Sequence, residues 1–230
     1  MQELPSYENT VGTKTAAVVP PATDTLGPAT LYISGRFIYS TDPQAAPLYE
    51  FSHSIAHLRD TDRSVKVERV DSTLKTAQGL PQVTTRNRHL FDLKHPTAAV
   101  GPTFAYHAES VTRRTLCSFG ASVFRAGGLL RTGKAYQFHR AVKGSDHKLE
   151  AQDLLFEASP SRDKAVEYEW KNEQESLIAR EVKGEQADRS LVITAEMSVE
   201  MRDALVSAWV MRIWWELAKD KHTASSLMPV

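Results

Sequence analysis

The chain has 230 residues, of which 41% are hydrophobic and 24% charged, and its 28 basic and 28 acidic side chains give a net charge of zero. This composition is that of a globular protein with one large domain, or one domain plus tails. The single cysteine, Cys117, excludes an intramolecular disulfide, and the opening residues MQELPSYENT are too polar for a signal segment. We therefore expect a protein of a reducing compartment, in the cytoplasm or the nucleus.

Residues 1–28 are predicted to be a disordered tail, since they contain four prolines, many threonines and no usable hydrophobic periodicity. Within the tail, Leu4-Pro5-Ser6-Tyr7 is a loose version of the proline–tyrosine motif that WW domains bind. Proline favours the extended helix that such grooves accept, although the usual motif has a second proline where Leu4 stands. A WW-domain partner that binds Leu4, Pro5 and Tyr7 is therefore one hypothesis.

From residue 31 onward, apolar and polar residues alternate with a period of two, which is typical of strands. About eleven segments show it: LYISGRFIYS, PLYEFS, SVKVERV, RHLFDLKH, TFAYHAES, TLCSFGASVF, YQFHRAV, AQDLLFEA, VEYEW, SLIAREVK and SLVITAEM. In the first segment, one face is predicted to carry Leu31, Ile33, Phe37 and Tyr39. Turn signals separate several segments, and no strand–helix alternation appears, which argues against a parallel α/β fold.

One long helix is predicted near the end of the chain, over residues 199–220, with Ser198 as its N-cap. From 204 to 217 its only polar residues are Ser207, Arg212 and Glu216, and they form no continuous polar face. A helix that is apolar nearly all round must be buried on all sides.

A membrane and the inside of a closed sheet are the two surroundings that could bury this helix. The apolar stretch 204–218 has 15 residues and spans about 22 Å, less than the roughly 30 Å of hydrocarbon in a bilayer. Arg212 and Glu216 would also be costly in lipid. About eleven strands make a barrel too wide for its own side chains to fill, and a helix can occupy the space. We therefore predict an all-β fold, a closed antiparallel barrel of about 11–12 strands around a central C-terminal helix. Inside such a barrel, Arg212 and Glu216 need partners near a barrel mouth, or each other.

The stretch LVITAEMSVEMRDALVSAWVMRIWW, a last strand that runs into an apolar helix, resembles the Tubby C-terminal-like superfamily, which includes the tubby domain, phospholipid scramblases and LURP-one-related proteins. The early LYISGRFIYS…LYEFS hairpin is similar to the opening strands of that family. The resemblance implies a twelve-stranded barrel around a helix over residues 29–222, with a flexible end at 223–230. It also implies phosphoinositide binding through basic side chains on the barrel exterior, and WW-type ligands in the tails of the scramblase relatives.

The charge is distributed unevenly along the chain. Residues 86–148 carry 11 basic and 3 acidic side chains, a net charge of +8, while residues 1–85 carry −2 and residues 149–230 carry −6. A basic segment attracts phosphates, or it neutralises the acidic last third across the sheet. The candidate phosphate-binding residues are Arg86, Arg88, Lys94, Arg113, Arg114, Arg131 and Lys134. Of these, Arg113 and Arg114 are predicted to lie in a turn. Solvated loop charges are the alternative reading, and the lack of interleaved aromatic residues argues against nucleic acid as a partner.

The sequence thus leaves three hypotheses about function. The first is a non-catalytic binding module for phosphoinositide or other anionic lipid headgroups at a membrane surface. The second is a small enzyme or accessory protein that acts on a hydrophobic metabolite in the barrel mouth, within a biosynthetic pathway, and a cavity lined by histidine and carboxylate would favour it. The third is an adaptor for a WW-domain protein. His53 and His57 lack an evident third ligand, so no metal or other cofactor is expected.

Overall fold

The computed structural model describes residues 25–40, 46–77, 80–96, 104–125, 133–145, 148–184 and 189–225. The proposed WW ligand at Leu4, Pro5 and Tyr7 lies outside the described residues, as do Arg131 and residues 226–230.

The described residues form strands, one short 3₁₀ helix and one long α-helix. The strands are β1 (Thr25–Leu26), β2 (Ala29–Ser34), β3 (Phe37–Ser40), β4 (Tyr49–Phe51), β5 (Ser64–Ala77), β6 (Leu80–Lys94), β7 (Tyr106–Ser110), β8 (Phe119–Arg125), β9 (Lys134–Lys143), β10 (Leu149–Pro160), β11 (Tyr168–Asn172), β12 (Leu177–Lys183), β13 (Arg189–Ile193) and β14 (Met197–Ser198). The 3₁₀ helix spans Ile55–His57, and the α-helix, α1, spans Val199–Ser225.

Strands β2 to β13 form a closed barrel of twelve antiparallel strands, in which each strand pairs with its neighbours in the chain. The barrel closes where β13 pairs with β2, with Leu191 opposite Leu31. Closure gives every strand of the barrel a partner on both sides, and it creates an interior that must be filled. The predicted all-β fold with one C-terminal helix is confirmed.

The barrel has twelve strands, one more than the eleven predicted segments, because the single segment LYISGRFIYS forms the two strands β2 and β3 of a hairpin. Gly35, with a φ of 60°, starts the two-residue turn between β2 and β3. The turn sets Leu31 opposite Ser40 and Ile33 opposite Ile38, so Ile38 shares the inner face with Leu31. The prediction that Phe37 and Tyr39 share that face was wrong, because the alternation does not continue straight through a turn.

The helix α1 fills the barrel. Every residue from 202 to 215 is buried, and Trp209 and Trp214 are completely so, as the missing polar face predicted. The hydroxyl of Ser198 accepts a hydrogen bond from the backbone N–H of Met201 at 3.2 Å, as expected of the N-cap. The helix runs to Ser225 rather than ending at residue 220, since neither glycine nor proline interrupts it there. Among the described residues, no helix has an apolar stretch long enough to cross a bilayer.

The folded part of the chain begins before residue 29. Thr25 and Leu26, which we assigned to the tail, pair with Ser198 and Met197 in a two-stranded sheet beside the start of α1. The guanidinium of Arg202 donates a hydrogen bond to the carbonyl oxygen of Gly27. The barrel domain therefore includes residues 25–28.

The direction of α1 distinguishes the two ends of the barrel. We call the end at which α1 begins the upper rim; β7 ends there, and so does β13, whose Ile193 is followed by β14 and α1. At the opposite end, the lower rim, the indole N–H of Trp214 donates to the carbonyl oxygen of Arg59 at 2.8 Å.

Candidate functional site

Strands β5 and β6 extend past the barrel at the upper rim. Their neighbours β4 and β7 pair with them only as far as Arg69 and Phe91, while β5 and β6 continue to pair up to Ala77 and Leu80. Because β5 and β6 are longer than their neighbours, the parts beyond Arg69 and Phe91 form a two-stranded extension, residues 70–77 and 80–90, which we call the β5–β6 ribbon. Its inner face continues the inner face of the barrel.

Register places arginines on the inner face of the ribbon. Arg88 lies opposite Arg69, and Arg86 lies opposite Asp71. The inner position of Arg69 follows from its contact with Asp203 of α1, since Nη1 and Oδ2 are 2.7 Å apart. Paired residues of an antiparallel ladder point to the same side, so Arg86 and Arg88 face inward as well. This differs from the barrel exterior that the family resemblance implies.

The loop between β7 and β8 brings two more arginines to the same place. Hydroxyl groups hold this loop: Thr115 donates to the carbonyl oxygen of Thr112 at 2.7 Å, and the backbone N–H of Arg114 donates to the Thr112 hydroxyl at 3.3 Å. The side chains of Arg113 and Arg114 remain exposed. The prediction that both lie in a turn is confirmed.

The four arginines line one groove of about 560 Å³. We call it the arginine groove, and its walls are formed by Arg86, Asn87, Arg88, His89, Thr112, Arg113 and Arg114. This volume lies within the range of small-molecule sites. A second groove of about 860 Å³ adjoins it, shares Arg88 and Arg114, and reaches Val199 and Glu200 at the start of α1.

The arginine groove has an excess of positive charge, because none of its lining residues is acidic. Arg88 forms an ion pair with Asp71, with Nη2 2.8 Å from Oδ2. Within the described part of the chain, Arg86, Arg113 and Arg114 form no ion pair with a carboxylate. A planar guanidinium offers paired N–H donors that match two oxygens of a phosphate or carboxylate. The groove is therefore suited to a ligand whose phosphate or carboxylate oxygens accept hydrogen bonds from these guanidinium groups.

The other basic candidates lie elsewhere. Lys94 is six residues beyond Arg88 on β6, about 20 Å away along the strand, and opposite His107 near the start of β7. Lys134 pairs with Arg125, the last residue of β8, at the lower rim. The structure thus brings four members of the predicted set together, separates Lys94 and Lys134 from them, and does not describe Arg131.

An ion-pair chain connects the groove to the buried helix. Asp71 contacts both Arg88 and Arg69, the latter at 2.8 Å, and Arg69 contacts Asp203. Asp203 also accepts a hydrogen bond from the Tyr49 hydroxyl at 2.9 Å. Burial raises the pKa of Asp203 to about 6, although Arg69 and the Tyr49 hydroxyl act to lower it. A cluster of this kind is a feature that no local sequence pattern indicates.

The raised pKa of Asp203 predicts a definite pH dependence of stability. In the unfolded chain the Asp203 carboxyl titrates near pH 4. Between about pH 4 and pH 6 this carboxyl therefore binds more protons in the folded than in the unfolded protein, and the free energy of unfolding of the wild type falls as pH rises. Asparagine does not titrate. The stability of Asp203→Asn relative to the wild type should therefore rise by up to about 3 kcal/mol between about pH 4 and pH 7. Urea unfolding of both proteins across this range measures the change, and a fall in the same range would show that the Arg69 ion pair outweighs burial.

Sequence reasoning missed Arg69, Asp71 and Asp203. All three residues lie outside the basic segment 86–148, to which the sequence assigned the candidate site. Pairing Arg69 with Arg88 requires the register of the β5–β6 ladder, which includes a bulge between Val67 and Glu68. No signal in the sequence fixes the position of that bulge.

The grooves do not carry the combination that the enzyme hypothesis requires. The arginine groove contains His89 but no carboxylate in its lining, and the adjoining groove contains Asp71 and Glu200 but no histidine. Among the described residues, no group of three or more His, Cys, Asp or Glu side chains is placed to hold a metal ion.

Comparison with known proteins identifies no relative: no family model, no curated protein and no solved structure matches the chain. The class that the fold defines is a closed twelve-stranded antiparallel barrel with a C-terminal helix inside it.

Proposed function

We propose that the protein is a non-catalytic binding module that attaches to a membrane surface by holding anionic lipid headgroups, phosphoinositides in particular, in the arginine groove. The observation that carries the proposal is the convergence of Arg86, Arg88, Arg113 and Arg114 on one groove without a lining carboxylate. We further propose a distant relationship to the Tubby C-terminal-like superfamily. The twelve-stranded barrel around an apolar helix supports it.

The energetics of a surface site support a ligand with several charges. Near an anionic membrane, each basic side chain contributes on the order of 1 kcal/mol, so several must act together for useful affinity. Arg86, Arg113 and Arg114 are exposed. Among the described residues they form no ion pair with a carboxylate that a bound headgroup would have to replace. Exposed charges are screened over about 8 Å at physiological salt, so binding should weaken strongly as salt rises.

The test is the double charge reversal Arg113→Glu/Arg114→Glu in a co-sedimentation assay with phosphatidylcholine vesicles that contain phosphatidylinositol bisphosphate. The wild type should sediment with the vesicles at low salt, and the double variant should lose most of this binding. Both side chains are exposed, so the melting temperature should stay nearly unchanged. If the wild type remains in the supernatant at low salt, the proposal is wrong.

The matched control is Arg125→Glu/Lys134→Glu. These residues pair with each other across β8 and β9, both are exposed, and they lie at the lower rim. The control changes the net charge by the same amount as the test variant. If both variants lose binding equally, the attraction comes from overall charge and the arginine groove is not the site.

A further inference from the structure

Asp71 occupies a particular position beside the arginine groove. Its two carboxylate oxygens contact different arginines: Oδ1 lies 2.8 Å from Nε of Arg69, and Oδ2 lies 2.8 Å from Nη2 of Arg88. Asp71 lines the adjoining groove rather than the arginine groove, and Arg88 lines both. One of the four arginines is thus already paired with an anionic side chain of the protein.

This ion pair is of a kind that a ligand can replace. The side chains of Arg88 and Asp71 are 33% and 29% exposed, and ion pairs at such exposure contribute little to stability. If Arg88 turned to a bound anion, Asp71 would keep Arg69 as its partner. Arg69 in turn is held by the buried Asp203 at 2.7 Å. The exchange would therefore leave no carboxylate unpaired.

We propose that Asp71 is an internal competitor that holds Arg88 in an ion pair and thereby limits the affinity of the arginine groove for phosphate groups. The inference rests on the proposed function and concerns the regulation of the same site. A phosphate group that enters the groove takes the N–H donors of Arg88 that Asp71 holds in the free protein. The affinity of the free protein is consequently lower than that of a groove with all four arginines unpaired.

The test is the substitution Asp71→Asn. The proposal predicts that this variant binds phosphate groups more tightly than the wild type, and misfolding cannot produce such a gain. The substitution removes the ion pairs of Asp71 with Arg88 and with Arg69, and Arg69 keeps Asp203 as its partner. The release of Arg88 should tighten binding by about three- to tenfold. Binding is measured by calorimetry with inositol trisphosphate, and by co-sedimentation with phosphatidylcholine vesicles that contain phosphatidylinositol bisphosphate. The first probe reports the phosphate groups alone and the second reports the lipid, so a gain with only the vesicles would trace to the membrane surface and would contradict the proposal.

Two controls separate the ion pair from the general electrostatic field. Glu200→Gln removes the same charge from the adjoining groove, and within the described residues Glu200 forms no ion pair with an arginine; we expect it to change affinity less than about twofold. In the Arg88→Ala background, Asp71→Asn should give no gain, because the released arginine is absent. An equal gain from Glu200→Gln, or a gain that persists without Arg88, would overturn the proposal.

The remaining outcomes distinguish this inference from the proposed function. If the wild type binds and Asp71→Asn binds no tighter, the competitor role is wrong while the binding function stands. If the wild type does not bind and Asp71→Asn does, the competitor role stands and the wild-type function as proposed fails. If neither binds either probe, both are wrong.

Discussion

Replacing Trp209 with alanine is expected to lower the free energy of unfolding by about 3–5 kcal/mol. Trp209 is completely buried on α1 inside the barrel. Removal of its indole ring leaves a cavity, and the strands of a closed barrel cannot move inward independently to fill it, because each is hydrogen-bonded to two neighbours. Urea unfolding followed by circular dichroism measures the loss.

The control for this substitution is Val83→Ala on β6. The side chain of Val83 is 65% exposed, so its truncation should change stability by less than about 0.5 kcal/mol. Added indole should raise the melting temperature of Trp209→Ala but not that of the wild type, because apolar cavities bind small aromatic molecules and binding stabilises the folded state. An unchanged melting temperature in Trp209→Ala would contradict the placement of the helix inside the barrel.

The architecture could be predicted because its signals are local. Alternation in VEYEW sets Tyr168 and Trp170 inward, and both are buried. The helix lacks a polar face, and this property of one segment is enough to require burial on all sides. Closure of the sheet then follows, since about eleven strands and one apolar helix have few other ways to bury their surfaces.

The details that depend on register or on distant partners could not be predicted. The face of Phe37 and Tyr39 is set by the two-residue turn at Gly35, and a turn of one more residue would reverse it. The same holds for the ladder that sets Arg69 opposite Arg88. Hydrophobic periodicity describes one strand at a time and carries no information on which residues of two strands meet.

The candidate site was predictable only in part, because its charge pattern is local in the sequence while its assembly depends on how the strands pair. The basic segment 86–148 contains the four arginines of the groove, and the turn at Arg113 and Arg114 was readable from the sequence. The chain crosses the barrel four times within this segment, so charges near in sequence alternate between the two rims. Lys94 and Lys134 lie away from the groove for this reason, whereas Asp71 lies beside Arg88.

The buried ion pair of Arg212 with Glu181 gives the second large effect. Both side chains are completely buried, and the guanidinium donates to Oε1 of Glu181 and, at 3.2 Å, to Glu216 one helical turn away. The sequence predicted that Arg212 and Glu216 need each other or partners near a barrel mouth, and both kinds of contact occur. Arg189, at 3.2 Å from Glu181, connects the pair to the lower rim.

We expect Arg212→Met to lower the free energy of unfolding by about 3–5 kcal/mol, because it leaves Glu181 without its main counter-charge in the barrel interior. Burial already raises the pKa of Glu181, and Arg212 acts to lower it. Without Arg212 the pKa of this carboxyl rises further, so the folded variant takes up a proton more readily than its unfolded chain does. The loss should therefore be larger at about pH 7 than at about pH 4.5, as urea unfolding at the two pH values would show.

The double variant Arg212→Met/Glu181→Met decides whether the cost comes from the unpaired charge or from lost packing. Replacement of both charges by apolar side chains of similar size removes the need for solvation, and such exchanges are often neutral or stabilising by about 1–4 kcal/mol. The guanidinium of Arg212 also lies 4.2 Å from the centre of the Tyr168 ring, a contact that a methionine sulfur can partly replace. The double variant should thus recover most of the stability that the single variant loses, and its stability should depend less on pH. If the two variants are equally unstable at both pH values, Arg212 stabilises the barrel through its shape and ring contacts rather than through its charge.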